Sequence, residues 1–160
     1  MLVVREISTN DRESVIEISG KLSQWFIKAA LEAIAHAVET ERGYLALENE
    51  KCMGFATYLP CSDRKRAELT WIGVEPTLHR TGIGRSLVEA IERDLVRDHY
   101  ECLEVNTVAE TVDYEPYART RSFYHSIGFR DVSVQPKGFP SGDDKLLMRK
   151  YLRNNTNSFS

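Results

Sequence analysis

The sequence contains no run of about 18 apolar residues, the length a membrane-spanning helix needs. Its first residues, Met1-Leu2-Val3-Val4-Arg5-Glu6, lack the basic-then-apolar layout of a secretory leader. These absences lead to the expectation of a cytoplasmic protein without a membrane partner. Cysteine is scarce. Cys52, Cys61 and Cys102 are odd in number and form no Cys-x-x-Cys spacing, so reduced thiols are expected rather than a disulfide framework. His36, His79, His99 and His125 show no metal-ligand spacing, and no metal is expected. A basic excess is missing too. The net charge of −3 argues against a general nucleic-acid binder, which carries a basic stripe, yet leaves room for a small basic patch over a phosphate.

What is present suits one domain. A chain of 160 residues buries roughly two thirds of its unfolded surface. We expect a single domain over 1–153 and a frayed polar tail over 154–160.

Periodicity supplies the elements. Leu2 to Ile7 reads as a strand, and a short helix carries Val15, Ile16 and Ile18 up to Gly20. Ser23 is placed to cap a second helix bearing Phe26, Ile27, Ala30, Leu31, Ile34 and Val38. Gly43–Leu47 and Cys52–Leu59 flank a polar Glu48-Asn49-Glu50-Lys51, a hairpin pattern. Glu68 to Val74 reads as a strand that Pro76 stops. From Gly82 the period turns helical, with Ile83, Leu87, Ala90, Ile91 and Leu95 on one face and Asp94 a blemish near it. Cys102–Val108 is a strand, Tyr117–Ile127 a helix stopped by Gly128, and 129–134 and 146–152 closing strands. The order β-α-α-β-β-β-α-β-α-β-β implies an α/β fold with a mixed sheet and helices on both faces. The hairpin breaks the alternation that a doubly wound fold requires.

His79-Arg80-Thr81-Gly82-Ile83-Gly84-Arg85-Ser86 lies between a strand and a helix. Unpaired N–H groups and the helix dipole favour an anion there, and glycines let a phosphate approach the backbone. A dinucleotide fingerprint needs a third glycine, but Leu87 holds that position; a nucleotide-triphosphate loop needs a lysine that is absent. A short pyrophosphate loop and a plain strand-to-helix turn both remain open on the glycines alone.

Two stretches together resemble the GNAT acetyltransferase superfamily. The first is Ile72-Gly73-Val74-Glu75-Pro76 followed by Gly82-Ile83-Gly84-Arg85-Ser86-Leu87, similar to a strand ending in Val-x-Pro and a Gln/Arg-x-x-Gly-x-Gly/Ala helix start. The second is Phe123-Tyr124-His125-Ser126-Ile127-Gly128-Phe129, similar to (Leu/Phe)-Tyr-x-x-x-Gly-Phe. The likeness spans about Gly43 to Leu152. His79 stands where Gln or Arg is usual, with Arg80 next to it. Tyr117 stands where the family often has an Asn that touches pantetheine, so that contact is not carried over.

The resemblance implies a mostly antiparallel sheet splayed at its middle strands. It implies acetyl-CoA as co-substrate, with pantetheine pairing along Ile72, Gly73 and Val74 and pyrophosphate over His79–Ser86. A glycine inside a strand often marks a bulge, which here would aim an N–H at the thioester carbonyl, and Gly73 fits that role; close packing against a bulky neighbour is the alternative. An amine acceptor must lose a proton before it attacks. Glu68 is the first candidate base and Glu104 the second, while Tyr124 is the candidate acid toward the leaving thiolate. No cysteine has a neighbouring base, which favours direct transfer over an acyl-enzyme. Trp25, Phe26, Tyr114, Tyr117 and the loop 137–144 are expected to contact the acceptor, a small-molecule or peptide amine. A homodimer is common in the family. A non-catalytic acetyl-CoA sensor and a transferase using another acyl-CoA are the alternatives.

Overall fold

A computed structural model describes residues 1–153; the expected tail 154–160 lies outside the described residues. The elements are β1 (Leu2–Glu6), α1 (Arg12–Gly20), α2 (Lys28–Thr40), β2 (Arg42–Glu48), β3 (Lys51–Pro60), β4 (Arg66–Val74), α3 (Ile83–Arg97), β5 (Cys102–Val108), α4 (Glu115–Ser126), β6 (Arg130–Gln135) and β7 (Lys145–Tyr151). Their order is the one read from periodicity. The strands run β1-β2-β3-β4-β5-β7-β6 in one open sheet, and the pairs β1–β2, β2–β3, β5–β7 and β6–β7 are antiparallel. The chain divides into two compact units, Met1–Leu59 with Leu69–Asp94, and Pro60–Glu68 with the chain from Leu95.

In the first unit the β2–β3 hairpin closes with Glu48 opposite Lys51. Asn49 and Glu50 both take positive φ, 50° and 67°. That is the demand of a two-residue type I′ turn, whose twist matches the strands. Val15, Ile18, Ile34, Val38, Leu45 and Phe55 form the core cluster, with Trp25 and Phe26 packed against it. The second helix starts later than its apolar period suggests. Trp25 N–H and Phe26 N–H both donate to Leu22 C=O at 2.9 Å, closing a turn that sinks Leu22. Burial of Leu22 and packing of Trp25 and Phe26 against the core override helical periodicity, so Phe26 and Ile27 precede α2 rather than belong to it.

The apolar face of α3 is as read: Ile83, Leu87, Ala90, Ile91 and Leu95 are buried. Asp94 is not a blemish. It is 5% exposed and accepts hydrogen bonds from Tyr44 Oη at 2.6 Å and Tyr58 Oη at 2.9 Å, with Arg42 4.0 Å away. A buried carboxylate needs partners of this kind, and here they tie α3 to β2 and β3. Burial, then the hydrogen bond to Asp94, pushes the Tyr58 phenol far above its usual range, so it stays protonated as a donor.

Strand β4 carries one residue too many for its pairing with β3. Phe55 and Thr57 are two apart on β3 and share a face. A Cβ on Gly73 would meet Phe55 Cε1 at 2.7 Å, and Thr57 Oγ1 lies 2.7 Å from Thr70 Oγ1. Gly73 and Thr70 therefore share a face while lying three apart, which alternation forbids. Register agrees: Glu75 N–H donates to Met53 C=O at 2.8 Å, and a regular ladder counted from there sets Thr57 opposite Trp71, not Thr70. The β2–β3 register is regular from Tyr58 back to Gly54. The extra residue is thus a bulge in β4 between Thr70 and Gly73.

Two substitutions test these constraints. Asp94→Ala removes the shared acceptor of two tyrosine hydroxyls and is expected to cost about 2–3 kcal/mol in urea unfolding. Gly73→Ala drives a methyl into Phe55 and is expected to cost about 1–3 kcal/mol; Phe55→Leu in the same chain should recover part of it, and full stability of Gly73→Ala alone would disprove the packing argument.

Candidate active site

In the first unit, β4 ends at Val74 and a single 3-10 turn, Pro76–Leu78, precedes the glycine segment. Two residues then adopt left-handed backbone, Arg80 at φ 67° and Gly82 at φ 92°. A Cβ on Gly82 would meet open space, so the glycine is there for its conformation and its unobstructed backbone. The helix starts at Ile83, whose side chain is buried and anchors the turn. Ser86 N–H and Ser86 Oγ both donate to Gly82 C=O at 3.0 Å. The N–H groups at the start of α3 have no carbonyl one turn earlier in the helix and point out of its end. Thr81 Oγ1 donates to Leu78 C=O at 2.5 Å, stiffening the approach.

His79 is turned back toward the strand. Its Nε2 is 2.9 Å from Val74 C=O, and its ring meets Trp25 edge-on at 5.6 Å. Arg80 is exposed. The loop thus presents an arginine where the family pattern's side chain is replaced by a histidine engaged elsewhere. Lys21 adds a brace from α1's end, 3.0 Å from Glu75 Oε2. Phe26 meets Trp71 of β4 at 5.8 Å. Trp25 and Phe26 are therefore brought beside the glycine segment and β4 respectively. A side chain that sequence reading missed also reaches β4: Thr70 Oγ1 donates to the Glu41 carboxylate in a short hydrogen bond.

The second unit separates the two carboxylate candidates. Arg66 Nη1 lies 3.1 Å from Glu104 Oε1, and Asn106 Nδ2 donates to Glu68 Oε2 at 3.3 Å. Both pairs are 38 positions apart. A constant difference is the mark of parallel neighbours, so this end of β4 runs parallel to β5. Glu104 is 5% exposed and stands directly opposite Arg149 of β7, whose Nε donates to Glu104 Oε2 at 2.6 Å. Both Glu104 oxygens are thus occupied by guanidiniums. Glu68 is half-buried and takes only a neutral carboxamide among the described residues.

Tyr124 is buried on α4, packed at 5.4 Å against Phe123 and 5.5 Å against Phe129. Burial raises its phenol far above the usual range. Its hydroxyl makes no hydrogen bond to any described residue, and although the ring is buried the hydroxyl oxygen is not fully enclosed. Tyr114 and Tyr117 meet edge-on at 4.7 Å at the start of α4, which begins two residues earlier than its periodicity suggests because Pro116 sits in the first turn. Asp144 ties the neighbouring loops: it accepts Thr111 Oγ1 at 2.6 Å and Lys137 N–H at 2.9 Å. Those bonds, Thr111's first, hold its carboxyl below the ordinary range.

The family model "Acetyltransferase (GNAT) family" matches residues 7–129. An uncharacterized N-acetyltransferase from Methanocaldococcus jannaschii is 24% identical over 152 residues, covering 93% of this chain and 91% of that protein. A GNAT-family protein from Desulfovibrio desulfuricans superposes with TM-score 0.86 at 23% identity, over 96% of this chain and all of the other. An aminoglycoside 6′-N-acetyltransferase complexed with coenzyme A superposes with TM-score 0.74 at 15% identity, over 93% and 96% of the two chains. With its family matched over most of its length and its fold shared end to end, the chain is a member of the acetyltransferase (GNAT) family of enzymes.

Proposed function

We propose that this protein transfers the acetyl group of acetyl-CoA directly to a primary amine of a small molecule or peptide. The observation that carries this reading is the pairing of an anion-ready strand-to-helix loop, Gly82 at φ 92° with open space before it, with a bulged strand leading into that loop. The same residues fit the donor chemically. Backbone N–H groups at the start of α3, with Arg80 and Arg85, suit a pyrophosphate; Thr81, Gly82, Ile83, Gly84 and Ser86 line that turn, and His79 shapes it from within. Acetyl-CoA supplies the acyl group as an activated thioester. Ile72, Gly73 and Val74 offer strand backbone for an extended arm to pair with, and the bulge turns an N–H of this stretch out of the ladder, free to stabilise charge on a carbonyl oxygen.

Glu68 serves as the base. An acceptor with a pKa near 10 arrives as ammonium and has to lose a proton to Glu68 Oε1, directly or through a water. Asn106 holds the other oxygen. Tyr124 is the donor toward the departing thiolate. Its raised pKa makes complete proton transfer costlier, so hydrogen-bond donation is the larger part of its work. Trp25, Phe26, Tyr114 and Tyr117 are the proposed acceptor contacts. The cytoplasm is the proposed location, and a homodimer the proposed assembly.

Acetyl-CoA and free CoA should each raise the melting temperature at concentrations well above their Kd; an unchanged melting point with both would remove the donor. Thiol release across an amine panel then reports turnover. Tyr124→Phe and Glu68→Gln should each slow it by about 10²-fold or more, and Glu68→Gln should also abolish the acid limb of the pH–rate profile. Turnover at wild-type rate in either variant would strip that residue of its role.

A further inference from the structure

We infer that Glu104 is a positioning residue: by taking up the Arg66 and Arg149 guanidiniums it keeps their charge off Glu68, and so sets the pH range in which Glu68 accepts a proton. This rests on the reading of Glu68 as the base.

Arg66 and Glu68 are two positions apart on β4, so they share a face and stand roughly 6.6 Å apart along the strand. An arginine side chain spans that distance. Left to itself, Arg66 has Glu68 as a natural partner on its own strand. It turns away instead, with Nη1 3.1 Å from Glu104 Oε1 and Nε 2.8 Å from Asp63 Oδ2. Arg149, from β7, is held by Glu104 Oε2 at 2.6 Å. Glu104 is 5% exposed, deep enough for its charge to act at low dielectric.

The charged and titratable groups around Glu68 can be followed element by element. Arg66 comes from β4, Glu104 from β5 and Arg149 from β7; Cys61 and Asp63 come from the loop before β4. Burial raises the Cys61 thiol, so it is neutral where the carboxylates are charged. Asp63 is held low, chiefly by Arg66, at about 2. Two cations therefore meet two anions, and Glu68 is left with the uncharged Asn106. An unneutralised guanidinium within about 4–6 Å would lower a carboxylate pKa by roughly 1–3 units and weaken it as a base.

The measurement is an NMR titration of the side-chain carboxyl carbons in uniformly labelled protein, with the Glu68 signal assigned by its loss in Glu68→Gln. Glu104→Gln keeps the shape of the side chain but leaves two guanidiniums facing the single Asp63 carboxylate, so the Glu68 midpoint should fall by about one pH unit. Adding Arg66→Gln removes one of those charges and should return the midpoint toward the wild-type value. An unmoved midpoint in Glu104→Gln, or one that Arg66→Gln fails to restore, overturns the inference. Should Glu104→Gln not fold, Arg66→Gln and the double variant decide together: the inference expects Arg66→Gln to raise the Glu68 midpoint and the added Glu104→Gln to bring it back, and equal midpoints in the two overturn it. The pH–rate profiles keep the two readings apart. An acid limb that survives Glu68→Gln overturns Glu68 as base, whatever the titration shows. A limb lost from Glu104→Gln together with an unmoved Glu68 midpoint makes Glu104 the base itself.

Discussion

One extra residue in β4 constrains much else in the first unit. A strand that pairs regularly fixes which face each side chain takes, and an added residue reverses the faces beyond it. Here the reversal lies between Thr70 and Gly73. Before it, Thr70 shares a face with Thr57 and reaches Glu41. After it, Gly73 backs onto Phe55 and Leu22, and the chain leaves the sheet toward the glycine segment. The packing holds the bulge in place. Phe55 is fully buried, and a Cβ on Gly73 would stand 2.7 Å from its ring, so a larger residue there forces one of the two to shift. The two sequence-level readings of Gly73, bulge or close packing, are thus one feature seen from two sides.

The same economy appears in the buried polar groups. Asp94 joins α3 to two tyrosines of neighbouring strands, and Glu104 joins two arginines in the other unit. A carboxylate taken out of water is costly unless its lone pairs are met, and breaking one side of such an arrangement costs more than the arrangement contributes. Both therefore specify position more than they add stability. At Asp94 the outcome is a fixed helix, with Ile83 seated beneath the proposed anion site. At Glu104 it is a fixed charge distribution.

What the sequence disclosed follows the range over which each signal acts. The β5 bounds, the β2–β3 turn and the α3 face are local patterns, and they are read correctly from spacing. The start of α2 is misread because Phe26 and Ile27 continue its apolar period, while Phe26 is packed against the core and Ile27 caps the helix instead of joining it. Asp94 looks like a defect because its partners lie 36 and 50 positions away. The Thr70–Glu41 bond is likewise invisible in linear spacing. The strand-to-helix turn at the glycine segment is legible in the spacing, yet the direction of His79 is not, since that depends on Val74 C=O and the Trp25 ring.

Glu68 and Glu104 show the limit most sharply. Each is a glutamate in an apolar strand, and nothing in their immediate neighbours separates them. The parallel register that sets Arg66 against Glu104 also sets Glu68 against Asn106, so a single offset of 38 gives one carboxylate a cation and the other an amide. Arg149, arriving from a strand late in the chain, completes the difference. A base needs an oxygen that can reach the proton it removes; both Glu104 oxygens are held by guanidiniums, whereas Asn106 engages one oxygen of Glu68. The different surroundings of the two glutamates are therefore a property of strand register.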